Sequence, residues 1–145
     1  MTEPTSRDRD FSGRAASEYF EQAKDRKGHW LKCSVDDVTA NIALTHYPRE
    51  RVTMIKGKVE ETIPTPAVGK IALLRLDTDW YESTRHELVH LFPLLVEGGV
   101  LIVDDYGDWQ GSKEAVDEYF GEHKEFAPLL HRIDGAGRMC VKRRA

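Results

Sequence analysis

Ile71-Ala72-Leu73-Leu74-Arg75-Leu76-Asp77-Thr78-Asp79 and Val100-Leu101-Ile102-Val103-Asp104-Asp105-Tyr106 are two apolar runs that both end in aspartates, and their reading decides the fold. A short apolar run predicts a buried strand of a parallel sheet, because it leaves no face for water. Between the two, Ser83 to Val96 carries Leu88, Leu91, Phe92 and Leu95 at the i, i+3, i+4, i+7 offsets of an amphipathic helix. Strand, helix, strand is a crossover unit in which both strands run the same way and end on one rim. Open α/β sheets bind their ligands along that rim. Asp77, Asp79, Asp104 and Asp105 therefore converge there, and uncompensated they repel. A hard divalent cation held by oxygen ligands compensates them and polarises a substrate oxygen. The competing explanation is structural, since Asp also starts turns and caps helices. Two runs joined by one crossover, the second ending in an Asp pair, favour the site. His86 and His90 stand four apart on the helix but well past its start, which makes them poor ligand candidates.

Composition narrows the class. The 145 residues make one domain's worth of chain, with 40% apolar residues for a core and 32% charged residues for its surface. A net charge of −4 argues against a nucleic-acid binder, and the short basic tail Lys142-Arg143-Arg144 reads as a solvated terminus. Cys33 and Cys140 make neither a disulfide framework nor a spaced metal motif, so reduced thiols in the cytoplasm are expected. No apolar run approaches the ~20 residues that span a bilayer, and the polar start, Met1 to Asp8, is unlike a signal peptide.

Along the chain, the first dozen residues lack periodicity and are expected to be loose. Ala15 to Lys24 predicts a helix. Ser34 with Asp37 reads as a capping box ahead of Val35, Val38 and Ile42 at helical spacing. Arg51 to Gly57 alternates like a strand, and Glu60-Glu61-Thr62 predicts one helical turn before Pro64 and Pro66. Pro93 is expected to kink or end the crossover helix, and Gly98-Gly99 to close it. Ser112 opens a further helix with Ala115, Val116, Tyr119 and Phe120 on its buried side. Leu129 to Asp134 and Arg138 to Lys142, around Gly135-Ala136-Gly137, predict a terminal β-hairpin.

A sheet that ends in an antiparallel hairpin resembles the Rossmann-like α/β fold of class I methyltransferases. Leu74 to Thr84, followed by Gly98 to Gly107, resembles the signature of the macrocin O-methyltransferase family, and Lys56 to Pro64 resembles its turn after the third strand. Gly13-Arg14-Ala15-Ala16 and Met1 to Thr5 are similar to the family's interior. The resemblance implies an enzyme that uses S-adenosylmethionine and a divalent metal, Mg²⁺ or Mn²⁺, to methylate a hydroxyl on a natural-product sugar. Position by position it implies Asp77, Asp104 and Asp105 as metal ligands, and Gly57, Lys58 and Val59 as the part bordering adenine. Asp79, by proximity, is the candidate general base, with a helix cap as its structural alternative. Trp80, Tyr81 and Tyr106 are candidates to stack on a sugar, or else rim packing. The chain departs from the family in lacking a Gly-rich turn after a first strand and an acidic residue ending a second. It therefore reads as the C-terminal portion of such a domain, strands 3 to 7, in one incomplete unit spanning residues 1–145. Missing strands would leave an open edge on the fourth strand, so the third strand moves in to pair with it, a second copy or a partner chain supplies the missing strands, or the chain aggregates, with partner pairing or poor solubility expected. Two other functions stay open: a binding or assembly partner without activity, and a nucleotide-sugar glycosyltransferase reading Asp77-Thr78-Asp79 as an Asp-x-Asp motif.

Overall fold

The computed structural model describes residues 3–24, 34–65 and 68–143. Cys33 and Pro66 lie outside the described residues. Among the described residues the elements follow in the order α1 (Ala16–Lys24), α2 (Val35–Leu44), α3 (Val59–Thr62), β1 (Ile71–Leu76), α4 (Tyr81–Leu91), β2 (Leu95–Val103), α5 (Gln110–Glu122), β3 (His131–Arg132) and β4 (Arg138–Val141). The sheet order is β1-β2-β4-β3. β1 and β2 pair in parallel, with Leu74 opposite Leu101 and Leu76 opposite Val103. β2–β4 and β4–β3 are antiparallel, so the predicted crossover and hairpin both form.

The core lies on one face of this sheet. Leu74 and Leu76 from β1, Leu101 and Val103 from β2, and Cys140 from β4 meet Leu88 and Leu91 of α4 and Val116, Tyr119 and Phe120 of α5. Phe92 sits edge-on to both Tyr119 and Phe120, with centroids 5.8 and 5.1 Å away. The two apolar runs are not buried on both faces, which corrects the sequence expectation. Their side chains alternate, and Leu73, on the far face, is 60% exposed.

Four local expectations need correction. Arg51 to Gly57 forms no strand: Arg49–Arg51 is a 3₁₀ turn and the following residues join no ladder. Among the described residues β1 therefore has a strand neighbour on one side alone. The Gly98-Gly99 pair does not close α4. Pro93 ends the α-helix in a 3₁₀ turn, Phe92–Leu94, and β2 already begins at Leu95. Gly98 sits within β2 at φ 76°, a left-handed conformation that glycine adopts freely, and its N–H bonds to the Lys142 carbonyl. Lys142 is not a solvated tail residue, because its Nζ donates to the carbonyls of Phe92, Pro93 and Leu95 at 2.7–3.2 Å.

The fourth correction concerns the start of the chain. Residues 5–15 form a strap pinned across the C-terminal rim of the sheet, not a loose end. Asp8 is fully buried, and its carboxylate accepts from the Thr5 backbone N–H (2.6 Å), the Thr5 hydroxyl (3.0 Å) and the Tyr81 N–H (2.7 Å). Arg9 bridges to Ala15 and Asp10 to Trp109. A Cβ at Gly111 would come within 2.0 Å of the Asp8 carboxylate, so the first turn of α5 must be glycine there for the strap to seat. No helix among the described residues is long and apolar enough to cross a membrane.

Candidate metal and acceptor site

The parallel ladder runs one step past the strands: the Asp104 N–H donates to the Leu76 carbonyl at 2.9 Å. This brings the residues after β1 and after β2 side by side. One carboxylate oxygen from each of Asp77, Asp104 and Asp105 falls within 4.8 Å of the others, a set of three hard donors. Oxygens around one small cation at about 2.1 Å lie at most about 4.2 Å apart, so minor side-chain rotation fits the three to Mg²⁺ or Mn²⁺.

The rim has an exposed side and a buried side. On the exposed side Arg75 reaches across both strands, with Nη1 at 2.6 Å from Asp77 and Nη2 at 2.9 Å from Asp104. On the buried side Asp79 and Asp105 face each other. The Asp79 backbone N–H donates to Asp105 Oδ2 at 3.2 Å. Asp79 is 8% exposed and holds φ 64°, a left-handed backbone that is uncommon outside glycine. Burial first, with the surrounding carboxylates adding to it, pushes both Asp79 and Asp105 above the usual carboxylate range. Below them, Thr78 donates to Glu87 at 2.8 Å, and burial in the α4 face raises Glu87 to about 7.

Asp79 does not cap α4. Trp80 holds the cap position, without a side-chain cap bond. Trp80 itself is 1% exposed and packs edge-to-face on Trp109 at 4.9 Å, leaving no open ring face for a sugar. Tyr81 donates to Glu118 at 2.5 Å and carries the Arg7 guanidinium on its ring. Tyr106 donates to Asp117 at 2.8 Å. These three aromatics do not line the open cavity beside the acids. That cavity, about 480 Å³, is lined by Asp79, Asp105 and Asp108 on one side and by Phe11, Tyr19 and Trp109 among others. Its aromatic wall comes from the strap (Phe11), α1 (Tyr19) and the residue before α5 (Trp109); helical spacing had set Tyr19 on one side of its helix, but not toward the acids. The Asp10 carboxylate holds this wall in place, accepting from Tyr19 at 2.7 Å and from the Ser12 and Arg14 N–H groups.

Gly57, Lys58 and Val59 lie at the start of α3, where Lys58 is the N-cap. Gly57 has φ 151°, and a Cβ there would come 2.6 Å from Thr62. His86 is turned from the rim toward the Ile63 carbonyl at 2.7 Å, and its ring lies 4.4 Å from that of His90.

A parallel pair ending in acids, closed by an antiparallel hairpin and backed by two helices, defines the chain as part of a class I methyltransferase sheet. Superposition on the O-methyltransferase NovP gives a TM-score of 0.74 at 36% identity, over 79% of this chain and 47% of that one. The calicheamicin methyltransferase CalS11 shares the fold at 22% identity and TM-score 0.61. In sequence, residues 10–142 match the macrocin-O-methyltransferase (TylF) family, and the chain belongs to it. Relatives include the demethyldecarbamoylnovobiocin O-methyltransferase of Streptomyces niveus, 37% identical over 77% of this chain. Another is a tetracenomycin rhamnosyl 4'-O-methyltransferase of Streptomyces olivaceus, 35% identical over 74% of this chain. The aligned regions span 42% and 40% of those relatives' own lengths.

Proposed function

We propose that this chain carries the metal-binding and acceptor-handling part of an S-adenosylmethionine-dependent O-methyltransferase that modifies a hydroxyl of a sugar or other natural product in the cytoplasm. The observation that supports this reading is the convergence of Asp77, Asp104 and Asp105 beside the aromatic-walled cavity. Asp77, Asp104 and Asp105 would hold Mg²⁺ or Mn²⁺, which supplies Lewis-acid polarisation of the acceptor oxygen and fixes its direction of attack. Phe11, Tyr19 and Trp109 bind and orient the acceptor through ring faces and edges. Asp79 stands at the cavity wall with its carboxyl basicity raised by burial, suited to receive the hydroxyl proton as the oxygen takes the methyl group. The Asp79 N–H in turn orients Asp105. Gly57, Lys58 and Val59 are the proposed border of the adenine.

The test combines calorimetry and transfer assays. Mn²⁺ and S-adenosylmethionine are titrated into the chain, with a uridine-diphosphate sugar as the control for glycosyl transfer. Asp79→Asn is expected to keep Mn²⁺ binding and to lose any methyl transfer. Full transfer activity in that variant would remove Asp79 as the base. Binding of Mn²⁺ without any transfer by the parent would favour the second reading, an assembly partner. Among the described residues β1 pairs on one side alone and exposes its Leu73, which supports that reading, because an unpaired strand edge invites another chain.

A further inference from the structure

We propose that Arg75 is a built-in counter-ion, holding the acidic rim together in the ion-free protein and yielding its two carboxylates when a divalent cation binds. The inference rests on the metal reading of the rim and adds a residue that the ligand set does not contain.

Arg75 sits in the interior of β1, opposite Ile102, inside an otherwise apolar run. A cation at that place gains nothing from the sheet itself. Its fork instead spans the ends of two strands, one nitrogen on Asp77 Oδ2 and the other on Asp104 Oδ2. Those two residues supply two of the three converging oxygens. A planar guanidinium bridges two carboxylates in a way that a lysine ammonium does not. Asp105 is outside its reach in a different sense: it is buried and held by the Asp79 N–H. The rim is thus compensated in two ways, by a cation on the exposed side and by hydrogen bonding on the buried side.

A small divalent ion needs an oxygen from each of the two carboxylates that the fork holds. It would also sit within a few ångströms of a like charge. The Arg75 side chain is 49% exposed, so it has solvent to swing into when displaced. Half-exposed ion pairs are individually weak, which makes the fork a replaceable partner and not a lock.

The test is Mn²⁺ titration of the parent, Arg75→Gln and Asp77→Asn, with thermal melts of each in chelator and in saturating Mn²⁺. In Arg75→Gln, Mn²⁺ is expected to bind about three- to thirty-fold tighter, the size that losing one or two such pairs allows. Its melting midpoint should fall by a few degrees in chelator, and that deficit should close in Mn²⁺. A merely structural arginine would leave the deficit equal in both conditions and the affinity unchanged or weaker, and either result overturns the proposal. If the parent binds Mn²⁺, Asp77→Asn loses it and Arg75→Gln gains nothing, the counter-ion role alone falls. If neither the parent nor Arg75→Gln binds Mn²⁺, the metal reading falls with it. Should Arg75→Gln fail to fold, the Arg75 Nε–Hε resonance of the parent gives the answer in a Mg²⁺ titration. A shift with faster solvent exchange supports displacement, and an unmoved signal contradicts it.

Discussion

Two parts of this chain carry comparably good local signals and reach different ends. Residues 71–141 form a sheet with two helices on one face and a continuous core. Residues 34–57 form α2 with a complete capping box, in which Ser34 Oγ accepts from the Asp37 N–H at 3.1 Å and Asp37 accepts from the Ser34 N–H. Yet α2 buries none of its residues, and Val35, Val38 and Leu44 stay exposed. Among the described residues, Ile42 and Ala43 on its apolar side line a cavity of about 280 Å³ with Tyr47, Val52 and Met54. Capping fixes where a helix starts, but stability comes from what its apolar stripe is packed against. The first region has a second layer and the second has little.

Core truncation should break this comparison open most strongly. Leu88→Ala removes a fully buried side chain between α4 and the sheet and is expected to cost about 2–5 kcal/mol in urea unfolding. Leu44→Ala, on exposed α2, should stay within about 0.5 kcal/mol. Equal losses at the two positions would mean that α2 is covered in solution by another surface.

The strap comes next. Asp8→Ala removes a fully buried carboxylate and strips the partner from the half-buried Tyr81 N–H and the exposed Thr5 N–H, a loss of about 1–3 kcal/mol. Hydrogen exchange at residues 5–15 should then rise toward that of a free segment, while β1 and β2 remain protected. Unchanged protection would show that Asp8 does not anchor the strap.

Glu87 gives a smaller effect that depends on pH. Its carboxyl, at about 7 in the folded chain, lies above its ordinary 4.5 because burial disfavours the charge. Sequestering the neutral acid therefore favours folding below about 4.5, and that contribution is lost as pH rises through about 7. Glu87→Gln should remove the loss and gain up to about 3 kcal/mol relative to the parent at pH 8, with little gain at pH 4. A gain independent of pH would assign the effect to packing.

Much of the first region was legible because its signals are local or one crossover apart. Leu88 and Leu91 placed α4, although Phe92 and Leu95 of the same stripe fall in the 3₁₀ turn and in β2; Pro93 ended the helix, and the aspartates at the ends of two apolar runs placed the rim. What was not legible depends on contacts distant in sequence. Asp8 is pinned by Tyr81, 73 residues away, and no periodicity reports that. Arg51 to Gly57 alternates as a strand should, but β1 offers it no pairing, and alternation without a neighbour does not make a ladder. Trp80 looked like a sugar platform from its place beside the acids, whereas its edge-to-face packing on Trp109 was visible only in three dimensions. The Gly98-Gly99 pair could close a helix or admit a left-handed step in a strand, and its ladder to Lys142 decided for the strand.

The central claim is that the acid rim is a divalent-cation site, and Mn²⁺ titration of the parent against an Asp77→Asn, Asp104→Asn, Asp105→Asn triple variant tests it most directly. With both proteins shown to be folded by circular dichroism, the account predicts one Mn²⁺ bound per parent chain and loss of that binding in the variant. A folded triple variant that binds Mn²⁺ as tightly as the parent would contradict it.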